Sequence, residues 1–294
     1  MITNHNLHKL LILSQDFKYY QTLIEQTKLP GLSIVATDEP SHAIHISDDC
    51  DLLFGEPPCV SRVVNILPKI KWVQTTWAGV EPLLANDMRR DYLLTNARNV
   101  YGSMMSEYVF GYFLLIERKI LPRWQSQLSG KWDDRPHGTL KGKKLGLMGV
   151  GTIGSHIAAT AKHFGMLVLG YTRQSESCDY VDQYFHDEAW TDFAADLDYL
   201  VCTLPGTAST QGILDYAFLA ALPQKAWLIN VGRGSTIDEP ALIEALNNDS
   251  IAGAVLDVFT QEPLPADHPF WSAPHTFITS HTAARNYLPD IASL

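Results

Sequence analysis

The sequence is poor in cysteine, and this shortage excludes disulfide-rich and thiol-dependent classes of protein. Its four cysteines, Cys50, Cys59, Cys178 and Cys202, occur in 294 residues. They have neither the density of a disulfide scaffold nor the CxxC spacing of redox and zinc motifs. We therefore expect buried or scattered free thiols in a reducing compartment.

Basic residues and long apolar runs are also scarce. There are 22 Lys and Arg against 32 Asp and Glu, a formal net charge of −10. Because non-specific nucleic-acid binding needs clustered positive charge, no nucleic-acid partner is expected, and an anionic ligand needs local cations. The apolar stretch Leu10–Leu13 is shorter than a signal-peptide core, and no run reaches membrane-spanning length. We expect a cytoplasmic protein without membrane association.

The sequence does contain a regular alternation of short apolar runs with segments of helical periodicity. This pattern is typical of βα units and predicts an α/β protein with parallel sheets. The length favours two domains, which we place over 1–98 and 99–284. The strands predicted in the first domain are Leu10–Leu13, Ile34–Val35, Leu52–Phe54, Trp72–Thr75 and Tyr92–Thr95.

The second domain opens with a helical pattern from Ser103 to Leu128, broken near Pro122, and a polar loop over 131–143. Six strand candidates follow, the number that a complete dinucleotide-binding sheet needs. They are Leu145–Gly149, Leu167–Tyr171, Tyr199–Thr203, Trp227–Val231, Ala252–Val258 and Thr276–Thr279.

A glycine-rich turn, Gly149-Val150-Gly151-Thr152-Ile153-Gly154, joins the first of these strands to a helix. GxGxxG at such a junction is the dinucleotide-binding fingerprint. Gly149 permits the tight turn, Gly151 lets the backbone approach a pyrophosphate, and Gly154 lets helix and strand pack closely. The N–H groups of the first helical turn, which contains Thr152 and Ile153, then face the phosphates.

The end of the next strand indicates which dinucleotide binds. About 20 residues beyond the glycines, NAD-binding sheets carry an Asp or Glu for the ribose 2′-hydroxyl. Here the strand ends in Thr172-Arg173-Gln174-Ser175, a cation and two hydroxyl groups without an acid. Because arginine can hold a 2′-phosphate that a carboxylate would repel, we predict NADPH in preference to NADH, with NAD still possible. The alternative is an exposed Arg173 that binds no ligand.

Three later segments carry side chains suited to reducing a 2-oxo acid. The reaction needs a cation for the carboxylate, a proton donor for the developing alkoxide and a partner that keeps the donor protonated. Arg233, Glu262 and His281 are the candidates, although singly they could be a turn arginine, a loop carboxylate and a core histidine. All follow strands at the carboxyl edge, where ligands of such sheets bind. The segments are Asn230–Gly234, Leu256–Pro263 and Thr279–Ala284.

Together these features resemble the D-isomer-specific 2-hydroxyacid dehydrogenase family over nearly the whole chain. Further shared features are Trp77-Ala78-Gly79-Val80 in the first domain and Leu204-Pro205 with Thr210 in the second. The segment Asp267-His268-Pro269-Phe270-Trp271 most resembles the glyoxylate and hydroxypyruvate reductase branch. One departure is Ser280, where many relatives have proline.

The resemblance implies a Rossmann dinucleotide-binding domain and a smaller flavodoxin-like substrate domain, to which 285–294 return. It also implies a homodimer that reduces a small anionic 2-oxo acid, of the glyoxylate or hydroxypyruvate type, to the D-2-hydroxy acid. The rival hypothesis is a dinucleotide-sensing, corepressor-like binding protein on the same scaffold, which the fold alone does not separate from an enzyme.

The resemblance also implies residue roles. Arg233 binds the substrate carboxylate and polarises the carbonyl, His281 donates the proton, and Glu262 pairs with His281. In the first domain, the N–H groups of Gly79 and Val80 complete the carboxylate site, and Trp77, beside Ala78, lines the pocket or packs in the core. Asp257 orients the nicotinamide. The remaining cofactor contacts are Leu204, Pro205, Thr210 and Val231.

No metal site is predicted. His5 with His8, and His42 with His45, have a spacing that places two imidazoles on one face of a helix. No third Cys, His or carboxylate completes a recognisable ligand set for either pair. We expect structural or surface roles for these histidines.

Overall fold

The computed structural model describes residues 8–285. The chain divides into two compact units, Met1–Arg98 and Asn99–Leu294, here called the first and second units. Each is built on one sheet of parallel strands with interleaved helices, which confirms the α/β class. The expected return of 285–294 to the first domain concerns residues that, from 286 onward, lie outside the described range.

Within residues 8–98, the first unit has a five-stranded sheet in the order β2-β1-β3-β4-β5. This is the flavodoxin-like order, as predicted. The apolar run of β1 is buried because the strand lies inside the sheet, where parallel strands are covered on both faces. The strands are β1 (His8–Leu13), β2 (Leu32–Thr37), β3 (Leu52–Gly55), β4 (Trp72–Thr75) and β5 (Leu93–Thr95). The helices are α1 (Phe17–Gln26), α2 (Pro40–Ile46) and α3 (Pro57–Ser61), with 3₁₀ turns at Val64–Ile66 and Glu81–Leu83.

The second unit has a seven-stranded parallel sheet. Its strands are β6 (Lys144–Met148), β7 (Leu167–Tyr171), β8 (Gln183–Phe185), β9 (Tyr199–Cys202), β10 (Trp227–Asn230), β11 (Gly253–Leu256) and β12 (Thr276–Ile278). Its helices are α4 (Gly102–Glu117), α5 (Ile120–Leu128), α6 (Thr152–His163), α7 (Trp190–Ala194), α8 (Tyr216–Ala221) and α9 (Glu239–Asn247). Short 3₁₀ turns lie at Asp187–Ala189, Gly234–Thr236 and Pro269–Ser272.

The strand order β8-β7-β6-β9-β10-β11-β12 is that of a Rossmann sheet with one additional edge strand. The order reverses at β6 and β9, and ligands of such sheets bind in the crevice outside the carboxyl ends at that point. The glycine turn follows β6 directly. The fold therefore places this turn at the expected ligand-binding crevice.

The prediction of six strands in the second domain is wrong, because β8 was missed. Gln183–Phe185 spans three residues, lies at the sheet edge beside β7 and is partly exposed. A segment this short shows neither a clear alternation nor an apolar run. The missed strand matters because His186, which contacts the loop after β7, directly follows it.

The predicted helix break near Pro122 is also misplaced. The α4 helix ends at Glu117, and α5 begins after Lys119, whose φ of 54° is left-handed. Pro122 lies in the first turn of α5, where backbone N–H groups have no partner within the helix. Proline is tolerated there because it removes no helical hydrogen bond.

The carboxyl ends of five adjacent strands of the second unit's sheet lie level with one another. Met148, Cys202, Asn230, Leu256 and Ile278 are in register across β6, β9, β10, β11 and β12. The residues that follow these strands therefore meet at one edge of the sheet. None of the described helices has both the length and the apolar character needed to cross a membrane.

Candidate active site

In the glycine turn, the protein's own conformation and packing require glycine at positions 149 and 154 but not at position 151. Gly149 has a φ of 92°. A Cβ at Gly154 would lie 2.3 Å from the Gly149 carbonyl oxygen, whereas a Cβ at Gly151 would meet no described atom within 4 Å. Gly151 therefore leaves open space beside the helix N-terminus, as the approach of a pyrophosphate requires.

The N-terminus of α6 is arranged to receive an anion. Gly151 is its N-cap residue and supplies no side-chain hydrogen bond, so the first-turn N–H groups around Thr152 and Ile153 are not capped by it. The Thr203 hydroxyl donates to the Gly149 carbonyl over 2.8 Å and fixes the turn from the neighbouring strand. Sequence reasoning gave Thr203 no role. The residues present fit a bound nicotinamide dinucleotide.

The loop after β7 is closed by its own side chains. The Thr172 hydroxyl donates to the Ser175 carbonyl over 2.7 Å, and Arg173 between them is exposed. The His186 ring, directly after β8, donates from Nδ1 to the Thr172 carbonyl over 2.8 Å and contacts Glu176 Oε1 from Nε2 over 2.7 Å. Glu176 and His186 were missed, the first because it lies one residue beyond the segment considered and the second because β8 was missed.

The predicted cofactor residues after β9 and β10 pack around the same crevice. A Cβ at Gly232 would lie 2.5 Å from the Leu204 carbonyl oxygen, so these two loops are in close contact. The Thr210 hydroxyl donates to the Pro205 carbonyl over 2.6 Å and closes the loop after β9. Val231 is buried.

Arg233 projects from a backbone that is held by buried polar side chains. The Asn230 amide accepts from the Gly232 N–H over 3.1 Å and donates to the Arg233 carbonyl over 3.0 Å. The buried Thr236 hydroxyl donates to the same carbonyl over 2.6 Å. Asn230 and Thr236 were not predicted as functional residues.

The glycines on either side of Arg233 have a packing function rather than marking a solvated turn. A Cβ at Gly234 would lie 1.9 Å from the Phe259 carbonyl carbon. Arg233 is half-buried, and its Nη1 donates to the Gly232 carbonyl over 2.7 Å. The loop that carries Arg233 is thus pressed against the segment that carries Glu262.

Glu262 and His281 form a hydrogen-bonded pair. Glu262 Oε1 accepts from the Phe259 N–H over 3.0 Å, and Oε2 accepts from His281 Nδ1 over 2.8 Å. The carboxylate is thereby oriented by the backbone and in turn orients the imidazole. With Nδ1 engaged, Nε2 is the nitrogen that a substrate can use.

Asp257 holds the loop that carries His281. Its buried carboxylate accepts from the Thr279 hydroxyl over 2.5 Å, from the Thr282 N–H over 2.8 Å and from the Ala283 N–H over 3.0 Å. Its carbonyl accepts from the His281 N–H over 2.8 Å. The contact of Asp257 with a nicotinamide stays a prediction.

A partly buried tyrosine extends this network. The Tyr108 hydroxyl, on α4, donates to the Thr279 hydroxyl over 2.6 Å, since the Thr279 proton is donated to Asp257. Burial raises the pKa of the Tyr108 phenol well above its ordinary value. Tyr108 remains a neutral donor at physiological pH.

In the first unit, Trp77–Val80 follow β4 at the carboxyl edge of the sheet. The Thr75 hydroxyl donates to the Trp77 carbonyl over 2.9 Å, and the Asn96 amide donates to the Ala78 carbonyl over 2.6 Å. Trp77 is 46% exposed, so it does not pack in the core, the alternative that the sequence left open. The segment that includes Gly79 is therefore a fixed loop with an accessible indole.

Comparison with known proteins identifies the family. Residues 110–283 match the model described as D-isomer specific 2-hydroxyacid dehydrogenase, NAD binding domain. The chain belongs to the D-isomer specific 2-hydroxyacid dehydrogenase family. It is an NAD(P)-dependent dehydrogenase, and the second unit contains its nicotinamide dinucleotide-binding domain.

Relatives place the chain in the glyoxylate/hydroxypyruvate reductase branch, as the sequence predicted. It is 35% identical over 251 residues to glyoxylate/hydroxypyruvate reductase A of Yersinia enterocolitica, covering 82% of this chain and 78% of the relative. It is 30% identical over 230 residues to the protein of that name from Photorhabdus laumondii, covering 76% and 73%.

Solved structures of the family share the fold. A family protein from Aeromonas salmonicida has a TM-score of 0.91 at 40% identity, covering 97% of this chain and 92% of the other. The NADPH-dependent glyoxylate/hydroxypyruvate reductase from Sinorhizobium meliloti, in complex with NADP and sulfate, has a TM-score of 0.80 at 26% identity, covering 94% and 89%.

Proposed function

We propose that this protein reduces glyoxylate, hydroxypyruvate or a similarly small 2-oxo acid to the D-2-hydroxy acid, with NADPH in preference to NADH. The observation that carries the proposal is the Glu262–His281 hydrogen bond beside the Arg233 loop, at the carboxyl edge of a dinucleotide-binding sheet. Relatives named glyoxylate/hydroxypyruvate reductase A support the substrate class.

The proposed roles follow from the chemistry of each group. Arg233 binds the substrate carboxylate through its planar guanidinium and polarises the neighbouring carbonyl. When bound, the reduced nicotinamide supplies a hydride, two electrons and a proton nucleus, to the carbonyl carbon. His281 delivers a proton from Nε2 to the carbonyl oxygen and is reprotonated from solvent. Glu262 fixes the tautomer and orientation of the ring through Nδ1.

The first unit, over 1–98, contributes to the substrate site in this proposal. The N–H groups of Gly79 and Val80 bind the substrate carboxylate, and the exposed indole of Trp77 lines the pocket. The fixed carbonyls of Trp77 and Ala78 support this role because they hold the loop in one conformation. Trp77→Ala is expected to raise KM for the 2-oxo acid without changing the KM for NADPH.

A substrate panel tests the reaction. With glyoxylate and hydroxypyruvate, wild-type protein is expected to oxidise NADPH and to form the D enantiomer of the product, measured by absorbance and chiral chromatography. No turnover with these or with larger 2-oxo acids would favour the corepressor-like binding protein. Dinucleotide binding without turnover, measured by calorimetry, would be the positive sign of that alternative.

The cofactor preference rests on Arg173, flanked by the hydroxyls of Thr172 and Ser175. The NADP and NADPH in structures of the Sinorhizobium meliloti and Xanthobacter autotrophicus relatives support it. Arg173→Asp is expected to reverse the ratio of kcat/KM for NADPH to that for NADH. Arg118→Asp, at an exposed position at the end of α4, is the matched control and should leave the ratio unchanged. Equal use of both cofactors by the wild type would contradict the preference.

We also propose that the protein is a homodimer in a reducing compartment. An exposed apolar face on α5 supports the dimer, because Ile120, Leu121, Trp124 and Leu128 are 40 to 63% exposed. Trp124→Glu is expected to yield a monomer in analytical ultracentrifugation. A wild type that sediments as a monomer would contradict this assignment.

A further inference from the structure

Three residues beyond Arg173, the loop after β7 carries an acid, Glu176. Glu176 lies about 20 residues beyond the glycine turn, the spacing at which NAD-binding sheets carry the acid that binds the ribose. It is exposed and belongs to the loop closed by the Thr172 hydroxyl. The same loop therefore contains a cation suited to a 2′-phosphate and a carboxylate suited to a 2′-hydroxyl.

The structure shows what occupies that carboxylate. His186 bridges the loop, with Nδ1 donating to the Thr172 carbonyl over 2.8 Å and Nε2 contacting Glu176 Oε1 over 2.7 Å. The Thr172 carbonyl can only accept, so its contact requires a proton on Nδ1, and the Glu176 carboxylate likewise requires one on Nε2. Both hydrogen bonds therefore exist together only in the imidazolium, because a neutral imidazole has a single N–H and keeps one of the two. The Thr172 hydroxyl, 3.3 Å from Nδ1, is a further partner of that nitrogen.

We propose that His186 and Glu176 determine the cofactor preference: imidazolium His186 sequesters Glu176 and leaves Arg173 to bind the NADPH phosphate, whereas neutral His186, with its proton kept on Nδ1 toward the Thr172 carbonyl, releases the carboxylate toward the ribose and favours NADH. This inference rests on the proposed role of Arg173. His186 is a positioning residue, because it acts on the cofactor through Glu176.

The groups around His186 favour its protonated form. Hydrogen bonds to Glu176 and to the Thr172 carbonyl, together with the negative charges of Glu176 and Asp187, raise the pKa of His186 above its ordinary value of 6.5. The groups that face the ring are Glu176 from the loop after β7, Asp187 from the following turn, and the Tyr184 ring of β8, parallel to it at 6.4 Å. His186 thus stays charged at a pH where an isolated histidine has begun to lose its proton.

The exposure of Glu176 and His186 determines how large a change in cofactor preference we expect. Glu176 has 58% of its side chain exposed and His186 has 29%, so solvent weakens the interaction. We expect the NADPH-to-NADH ratio of kcat/KM in the wild type to fall about fivefold as pH rises from about 6 to 9. The 2′-phosphate of NADPH titrates near pH 6, and its ionisation raises the NADPH-to-NADH ratio as pH rises. This contribution is expected to be the same in every variant.

The test compares the wild type with His186→Gln and Glu176→Gln across this pH range. His186→Gln should have a low ratio that changes with pH only as the phosphate titration requires. Glu176→Gln should have an NADPH-to-NADH ratio of kcat/KM about fivefold above that of His186→Gln. In this variant too, titration of residue 186 should leave the ratio unchanged. Calorimetric Kd values for NADP⁺ and NAD⁺ at both ends of the range should follow the same order, which provides a readout independent of turnover.

Two matched controls separate this effect from general charge and folding effects. His163→Gln removes an exposed histidine from the end of α6, and Glu244→Gln removes an exposed carboxylate from α9; both should keep the wild-type ratio and pH profile. Thermal unfolding of each variant verifies that it is folded.

The outcomes distinguish the inference from the proposed function. If Arg173→Asp reverses the preference but neither His186→Gln nor Glu176→Gln changes the pH dependence, the inference is wrong and the NADPH proposal stands. If the wild type does not prefer NADPH, the proposal for Arg173 is wrong. In that case the inference, which rests on the role of Arg173, is wrong as well.

Discussion

The two edges of the second unit's sheet use charge in opposite ways. At the amino edge, charged side chains neutralise one another in a group that we call the amino-edge cluster: Glu117, Lys143, Lys144, Asp196, Asp198 and Lys225. Lys143 lies 3.3 Å from Glu117 and 3.4 Å from Asp198, and Lys225 lies 3.1 Å from Asp196. These ion pairs join β6, β9 and β10 to the end of α4.

At the carboxyl edge, charges are held mainly by neutral groups. Asp257 accepts from a hydroxyl and two backbone N–H groups, and the Arg233 backbone is fixed by Asn230 and Thr236. Ion pairs thus join the strands to one another at the amino edge, whereas hydrogen bonds with neutral groups fix Asp257 and the Arg233 backbone at the carboxyl edge.

The largest expected effect is on the proton donor. His281→Gln should lower kcat for hydroxypyruvate by about 10³-fold, because glutamine cannot deliver a proton to the carbonyl oxygen. The Kd for NADPH should change by less than about twofold. The control His163→Gln should retain wild-type kcat. An unchanged kcat for His281→Gln at neutral pH would show that another group supplies the proton.

The next prediction compares two buried carboxylates, Asp257 at the carboxyl edge and Asp198 at the amino edge. Asp257→Asn replaces an oxygen that accepts hydrogen bonds by an NH₂ group facing a donor, and should lower the free energy of unfolding by about 2–3 kcal/mol. Because this residue holds the His281 loop, kcat should fall as well. Asp198→Asn, in the amino-edge cluster, should lower stability while leaving kcat unchanged. Urea unfolding and initial rates on both variants check the pair, and equal kcat values would remove the distinction between the edges.

A smaller effect is expected for the residue that orients the imidazole. Glu262→Gln can still accept from the Phe259 N–H but no longer offers two carboxylate oxygens, so the His281 ring is held less firmly. We expect kcat to fall about tenfold, with little change in stability because the pair is partly exposed. Glu244→Gln, at an exposed position on α9, is a suitable control. A wild-type kcat in Glu262→Gln would reject the orienting role.

The smallest effect concerns the amino edge alone. Hydrogen bonds from Lys144 and Lys225 lower the pKa of Asp196 below its ordinary value of 3.8. A lowered pKa in the folded state means that the carboxylate contributes stability above the unfolded pKa, and that this contribution is lost as pH falls through the folded value. Asp196→Asn should therefore be slightly less stable than wild type at pH near 7, with the difference vanishing on acidification. A difference that persists in acid urea unfolding would contradict this sign.

The parts of the site that the sequence predicts share one property. Gly149, Arg233, Glu262 and His281 follow strands whose apolar runs are long enough to recognise, so the parallel topology brings them to one edge. The structure shows where they lie, while their catalytic roles stay predictions. Flavodoxin-like and Rossmann orders were predicted correctly because the family resemblance implied them.

The parts that the sequence does not predict depend on contacts between distant segments. Tyr108 and Thr279 are hydrogen-bonded although 171 residues separate them, and no local pattern indicates that pairing. His186 was missed with β8, whose three residues carry too little periodicity to mark a strand. The break at Lys119 was missed because Pro122 is the more conspicuous residue, although proline fits the first turn of a helix.

The most direct test of the account compares one arginine and one lysine from opposite edges. The measurement is kcat/KM for hydroxypyruvate with saturating NADPH in Arg233→Ala and Lys225→Ala. We expect a loss of about 10²–10³-fold for Arg233→Ala, since the carboxylate and the developing alkoxide lose their cation, and less than about a twofold change for Lys225→Ala. An Arg233→Ala variant that keeps the wild-type kcat/KM, or loses only its affinity for NADPH, would contradict the assignment of catalysis to the carboxyl edge.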